Sequence, residues 1–278
     1  MPKGIRGDRR EMKVIVVGGW GIADGHVVEA LRRKGATAIP VSRRNGVDVA
    51  TGVGLDQALS GAQRVVDVSS DASPDEATAR AFFTASAQHL QRASERAGVE
   101  RLVVLSIVGV DRLSGGYGAA KMDQERAIRS GPIPAFTLRS TQFFELLYRF
   151  RDWGLKDGVW WIPEQLIQPV SVAAMARVLA DFVLAEDPPS GVAEVAGPRQ
   201  EQLVEMACRW AARRGDPVEV RGLPDDSADG RISKEGGLLP GPDATITGPT
   251  FQQWLDAGER EPERQTGPAG EERRRNRR

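Results

Sequence analysis

A repeated alternation limits what this chain can become: short β-branched runs, each followed by helical sequence. The runs are "KVIVVGG" (Lys13 to Gly19), "ATAIPVS" (Ala36 to Ser42), "RVVDVSS" (Arg64 to Ser70), "RLVVLSIVG" (Arg101 to Gly109) and "AFTLRST" (Ala135 to Thr141). Continuous apolar runs of this length suit strands buried on both faces of a parallel sheet. Between them, "GHVVEALRRKG" puts Val27, Val28, Ala30 and Leu31 on one helical face and offers Gly35 as a stop. The longest helical stretch, Asp75 to Ala97, has Ser73 as a cap and Pro74 for its first position. This pattern predicts an α/β fold with a doubly wound parallel sheet. After Phe150 it loosens into a helix from Ser171 to Ala185, a strand at "VAEVAGP" and a helix from Gln200 to Arg213. These later pieces are expected to form a small C-terminal lobe over the sheet, carrying substrate contacts.

A chain of 278 residues is long enough for one such domain with its lobe. Residues 12–256 are expected to form it, with the lobe mainly from about residue 150, between a flexible extension (1–11) and a disordered, charged tail (257–278). Lys plus Arg and Asp plus Glu are equal at 38 each, so no overall field draws the chain to nucleic acid or to an acidic membrane. A small-molecule partner is expected instead. Cys208 is the single cysteine, and without a Cys or His cluster neither a disulfide nor a metal site is expected. No apolar run approaches the roughly 20 residues a membrane helix needs, and the N-terminus lacks a signal-peptide core, so the chain reads as cytoplasmic. Oligomeric state stays open.

Sheets of this kind bind ligands beyond the carboxyl ends of their strands. Tyr117 and Lys121 lie four apart at the start of the helix "YGAAKMDQERAIR", on one face, just after the strand that ends near Ser106. A nearby ammonium favours the ionised form of a phenol, so Lys121 can tune Tyr117 as an acid or base while Ser106 holds a carbonyl oxygen. Arg43 and Arg44 follow the second strand, where guanidinium forks suit a 2′-phosphate and favour NADP over NAD. His26 and His89 lie in helical sequence with no paired carboxylate in view and read as structural. Gln142, Phe143, Phe144 and Trp153 follow the last core strand and are candidates for contact with a flat apolar or aromatic substrate.

The stretches "VIVVGG", "VSRRNGVDVATGVGL", "VVLSIVGVDRL", "YGAAKMDQERAI", "LRSTQFFELL" and "VAEVAGP" resemble an atypical short-chain dehydrogenase/reductase, of the NmrA-like NAD(P)H-binding group of actinobacterial type. The resemblance runs from Met12 to about Leu255. It implies a Rossmann-like core, a nicotinamide cofactor and a catalytic Ser, Tyr, Lys constellation, which falls on Ser106, Tyr117 and Lys121. It also implies that Gly18, Gly19, Trp20, Gly21 and Ile22 form the cofactor turn, that Asp48 sits beside the adenine, and that Asp67, Ser69 and Ser70 line the cofactor's path. The expected function is an NADP-dependent reductase or dehydrogenase for a carbonyl or alcohol, in company that points to secondary metabolism.

One stretch departs from that pattern. The turn "GGWGIADG" has Gly18 and Gly21, then Asp24 where a third glycine is expected, with Gly25 one place late. Asp24 puts a carboxylate where a diphosphate would lie, and Trp20 puts an indole in space the cofactor uses. Asp24 also suits a helix start. Two outcomes stay open: a retained NADP site with a shifted turn, or a weak or lost one. The second would fit a non-redox isomerase, cyclase or lyase on the same scaffold. A third reading is a protein that senses NADP without turnover.

Overall fold

Val14, Ile15, Val16 and Val17 have no side-chain atom that gains from water, and they form a fully buried stretch of strand one place in from an edge of the sheet. The computed structural model describes residues 12–18, 21–70, 73, 75–187 and 191–258. In chain order its elements begin β1 (Lys13–Val17), α1 (Asp24–Arg33), β2 (Thr37–Val41), α2 (Leu55–Leu59), β3 (Arg64–Asp67), α3 (Glu76–Ala97), β4 (Arg101–Ile107), α4 (Gly116–Arg129) and β5 (Ala135–Ser140). There follow α5 (Leu146–Gly154), β6 (Leu155–Lys156), β7 (Val159–Pro163), β8 (Leu166–Ile167), α6 (Val172–Leu184), β9 (Val192–Ala196) and β10 (Glu201–Gln202). The last are α7 (Leu203–Arg213), β11 (Glu219–Leu223), α8 (Ala228–Lys234), β12 (Thr245–Ile246) and α9 (Phe251–Asp256).

The seven-stranded central sheet runs β12-β9-β5-β4-β3-β1-β2, all parallel. Strand order reverses beside β1, which has β3 on one side and β2 on the other, so a ligand crevice opens beyond the carboxyl ends of β1 and β3. Alternate residues divide the core. Val14, Val16, Val66, Val103 and Leu138 face α1 and α6, whereas Ile15, Val17, Val65, Leu102 and Val104 face α2, α3 and α4. Helix α1 buries Val27, Val28, Ala30 and Leu31, as its spacing predicts.

The structure departs from the sequence expectations in two places. Helix α3 is capped by Asp75, which accepts the Thr78 N–H at 2.8 Å, while Ser73 supports that cap by accepting the Asp75 N–H. Asp75 wins because it sits one residue before the first helical turn. Helix α6 and strand β9, expected in the lobe, belong to the sheet: β9 pairs with β5 from Thr137 opposite Val192, and α6 packs on α1. Mean hydropathy of α6 explains this, since a helix apolar on most of its surface needs cover from more than one side. The remaining late elements build a second apolar centre from Phe144, Leu147, Trp160, Leu203, Trp210 and Phe251. The small strands β6, β7 and β11 form one of its sheets, and β8 with β10 the other.

A buried ion pair helps to hold α4 onto the sheet. The Arg139 guanidinium on β5 donates Nε to Glu125 Oε1 and Nη2 to Glu125 Oε2, both at 3.0 Å, and reaches Asp111 at 2.9 Å. Both partners of the first pair are buried, so removing one leaves the other charge poorly compensated. Glu125→Leu is expected to cost about 3 to 5 kcal/mol in urea unfolding, and adding Arg139→Met should recover most of it. Equal losses in the single and double variants would show that the pair does not hold the helix.

Candidate active site

The carboxyl edge of the sheet presents Gly18 after β1, Asp67, Ser69 and Ser70 at β3, Ser106 in β4 and Gln142 just past β5. Residues Leu102 and Val104 face the α3–α4 side, and by the two-residue period of a strand Ser106 continues that row. Its Oγ is buried and has no hydrogen-bond partner among the described residues. A buried hydroxyl without a partner is costly, and this one lies at the carboxyl edge of the sheet.

Tyr117 stands at the start of α4 and is 37% exposed. Its Oη lies 2.9 Å from Ser70 Oγ, and its ring meets Phe83 of α3 edge to face at 5.4 Å. Lys121, one turn on, is buried instead. Its Nζ donates to the Leu105 carbonyl at 2.7 Å and to Gln124 Oε1, and lies 4.7 Å from the centre of the Phe83 ring. The phenol and the ammonium thus share one aromatic neighbour, but their hydrogen bonds go to different partners. Gln124 Nε2 donates to Asp67 Oδ2 at 2.8 Å, so the amide links a buried carboxylate to a buried ammonium. The Ser69 N–H donates to the other Asp67 oxygen at 2.9 Å. Burial pushes the Lys121 ammonium down to about 8, with Asp67 and Glu125 working against it. Burial likewise pushes Asp67 up, opposed by Ser69, Lys121 and Gln124.

Two carboxylates from other elements hold the N-terminal turn of α4. Asp229 of α8 accepts the N–H groups of Ser114 and Gly115 and the Ser114 hydroxyl, at 2.9 to 3.1 Å. Glu76 of α3 accepts the Gly116 N–H at 2.6 Å. Carboxylates at these orphan amides are held in the ionised form, and both have lowered pKa values for that reason. Between α4 and the lobe lies a cavity of about 490 Å³, lined by Ser114, Tyr117, Glu164, Gln165, Ser227 and Asp229 among others.

The remaining expected residues fall in different places. Gly21 and Ile22 follow β1, with Ile22 against the α1–α6 core; Gly19 and Trp20 lie outside the described residues. Arg43 and Arg44 are exposed in a short turn just past β2, capped by Ser42. Asp48 holds its own turn, accepting the Ala50 N–H at 2.9 Å. His26 is exposed, and His89 Nδ1 sits 3.1 Å from the Val49 carbonyl oxygen. Phe143 packs at the sheet edge, and Gln142 Oε1 is buried without a partner among the described residues. Phe144 and Trp153 lie apart from this group. Phe144 is buried in the lobe's centre against Phe251 and Trp254, and Trp153 is 56% exposed on α5 beside Phe150. Neither lines the cavity beside Tyr117.

Sequence reasoning missed Gln124, Arg149 and Asp229. Gln124 was findable, since it lies three residues after Lys121 and so shares its face. Arg149 on α5 is half-buried, which lowers its pKa, and its charge acts on Tyr117. Nothing in the local sequence marks it or Asp229.

No protein-family model matches this chain, and no curated protein does. Its fold is similar to that of solved Rossmann-like enzymes. One is an NADPH-dependent quinone oxidoreductase from Escherichia coli, complexed with NADPH, at 16% identity over 87% of this chain and 99% of that one, with a TM-score of 0.64. A UDP-N-acetylglucosamine 4-epimerase from Bacillus cereus gives 16% identity over 89% of this chain and 95% of that one, with a TM-score of 0.65. A dTDP-4-dehydrorhamnose reductase from Bacillus anthracis, in complex with NADP, gives 16% identity over 90% and 94%, with a TM-score of 0.60. Identity this low establishes the fold alone.

The Lys121 value carries a sign for stability. Its pKa in the folded chain is below the ordinary lysine value of about 10.4, so between about pH 8 and 10 the unfolded chain holds a proton that the folded chain has released. Stability from this group therefore rises with pH across that window. Relative to Lys121→Met, the native chain is expected to gain stability from about pH 8 to pH 10 and to show no such gain between about pH 6 and 7.5, in denaturant unfolding at each pH. A flat difference would mean that Lys121 titrates as an exposed lysine does.

Proposed function

We propose that the chain is an NADP-dependent oxidoreductase acting on the carbonyl or alcohol of a small molecule, with Tyr117 as the proton donor or acceptor. The observation that carries this reading is Tyr117 at the wall of a 490 Å³ cavity, on the helix that packs over the sheet edge where the unpartnered Ser106 hydroxyl lies. The same edge fits the cofactor's nicotinamide end, since unpartnered hydroxyl and amide oxygens there await a polar ligand. Arg43 and Arg44 are exposed past β2, and their guanidinium forks are our candidates for the 2′-phosphate. NADP, when bound, supplies or accepts the hydride.

The chain's own groups do the rest. Ser106 donates a hydrogen bond to the substrate oxygen. Tyr117 passes a proton to that oxygen in reduction, or takes it in oxidation, and Ser70 holds the phenol in place at 2.9 Å. The Arg149 guanidinium favours the phenolate that forms when the proton leaves, and we assign the same effect to the Lys121 ammonium, which shares the Phe83 ring with the phenol. The cavity wall mixes apolar residues such as Leu113 and Pro163 with polar ones such as Ser114 and Gln165, which suits a substrate carrying both kinds of group. A second reading, proton transfer without a hydride, is favoured by one observation: Asp24 packs directly on Gly18 in the cofactor turn.

Tyr117→Phe is expected to lower kcat by about 10²- to 10⁴-fold in NADPH-coupled carbonyl reduction, with the fold unchanged by circular dichroism. Activity retained by that variant would remove Tyr117 from the chemistry. Because Lys121 is cationic below about pH 8, the native rate should fall as pH rises through that value, and Lys121→Met should lack this limb. An identical alkaline limb in both proteins would assign it to another group.

A further inference from the structure

The first residue of α1 is an aspartate, and the residue before it, Ala23, offers no side-chain cap. The N–H groups of Asp24 and Gly25 act on the Asp24 carboxylate, so the helix start is served by its own side chain. That side chain also lies close to the end of β1. A Cβ placed on Gly18 would be 2.7 Å from Asp24 Cβ and 3.4 Å from Val68 Cγ2, so Gly18 must lack a side chain because Asp24 stands there. The charges acting on the carboxylate are His26 on the same helix and Arg44 from the turn past β2, while β1 and β3 offer Gly18 and Val68 against it. Burial raises its pKa, and those amides and cations lower it.

In a Rossmann-like fold the amides at the start of the first helix are the groups that receive a dinucleotide's pyrophosphate. Two anions cannot share them without a large electrostatic penalty. We propose that Asp24 is an internal anion that occupies the pyrophosphate subsite of this fold, so that a dinucleotide binds well only when the carboxylate is neutralised or turned away. The inference rests on the NADP reading for its ligand, yet it concerns the subsite and has a consequence of its own. Arg44, which that reading assigns to the 2′-phosphate, already acts on Asp24, so the two ends of the adenosine diphosphate site are coupled through one carboxylate. Protonation removes the competing charge, and affinity therefore rises as pH falls.

The test is calorimetric titration of the full chain and of its Asp24→Gly and Asp24→Asn variants, with inorganic pyrophosphate and with NADPH, at about pH 8. The Asn variant keeps the side-chain length and guards against a loss of fold in the Gly variant. The native chain is expected to bind both probes roughly 10- to 100-fold more weakly than Asp24→Gly at pH 8, with Asp24→Asn between them. Equal affinities for both probes in all three proteins would overturn the proposal. If Asp24→Gly gains pyrophosphate while no variant binds NADPH, the subsite proposal stands and the NADP reading fails. If all three bind NADPH alike, the NADP reading stands and the role of Asp24 falls. No binding of either probe by any variant would overturn both.

Discussion

The arrangement at the sheet edge depends on a layer of buried polar groups between α4 and the sheet. A helix that lay on β3, β4 and β5 through apolar contacts alone could slide or rotate by a fraction of a turn at small cost. The Glu125–Arg139 pair and the Asp67–Gln124–Lys121 chain remove that freedom, because each bond has a direction and an unmade bond in the interior is expensive. With the buried face of α4 fixed, Tyr117 at its first turn is fixed as well. Phe83 completes the seat, touching the phenol on one side and the ammonium on the other.

The crevice has two halves with opposite electrostatic character. Beyond β4 and β5 the polar groups are unsatisfied: the Ser106 hydroxyl and the Gln142 amide oxygen lack partners among the described residues. Beyond β1, the Asp24 carboxylate stands at the start of α1 and against Gly18. Under the role proposed for Asp24, binding free energy is available beyond β4 and β5 and withheld beyond β1, a distribution that favours ligands gaining most of their affinity near Ser106 and Gln142.

Much of this was readable in the sequence because burial on both faces of a sheet leaves a strong signature. The apolar runs of β1, β3 and β4, and the one-sided face of α1, could not have been exposed. The Tyr117 and Lys121 pair was legible from helical spacing, and Asp24 from a broken glycine pattern. What stayed hidden depended on long-range pairing. Nothing local to Val192 says that its partner is Thr137, so β9 read as lobe when it is sheet. Aromatic residues near the last core strand read equally well as substrate contacts or as packing, and Phe144 resolves to packing only through Phe251, more than a hundred residues away. Asp229 and Arg149 look like ordinary surface charges until the fold brings them to α4 and Tyr117.

Strand β4 leads into a loop where Gly109 adopts a positive φ of 84°, and a Cβ there would be 2.5 Å from the Gly237 carbonyl oxygen. Arg112 donates to the same carbonyl at 2.9 Å, and Asp229 caps the turn that precedes Tyr117. The segment that walls the cavity is therefore the one that secures the start of α4. Lobes over sheets of this kind are usually where a fold acquires new ligands, because loops change at little cost to the core. In this chain that route is constrained: a lineage that rebuilt residues 225–237 for a different substrate would have to reinvent the support of Tyr117 in the same step.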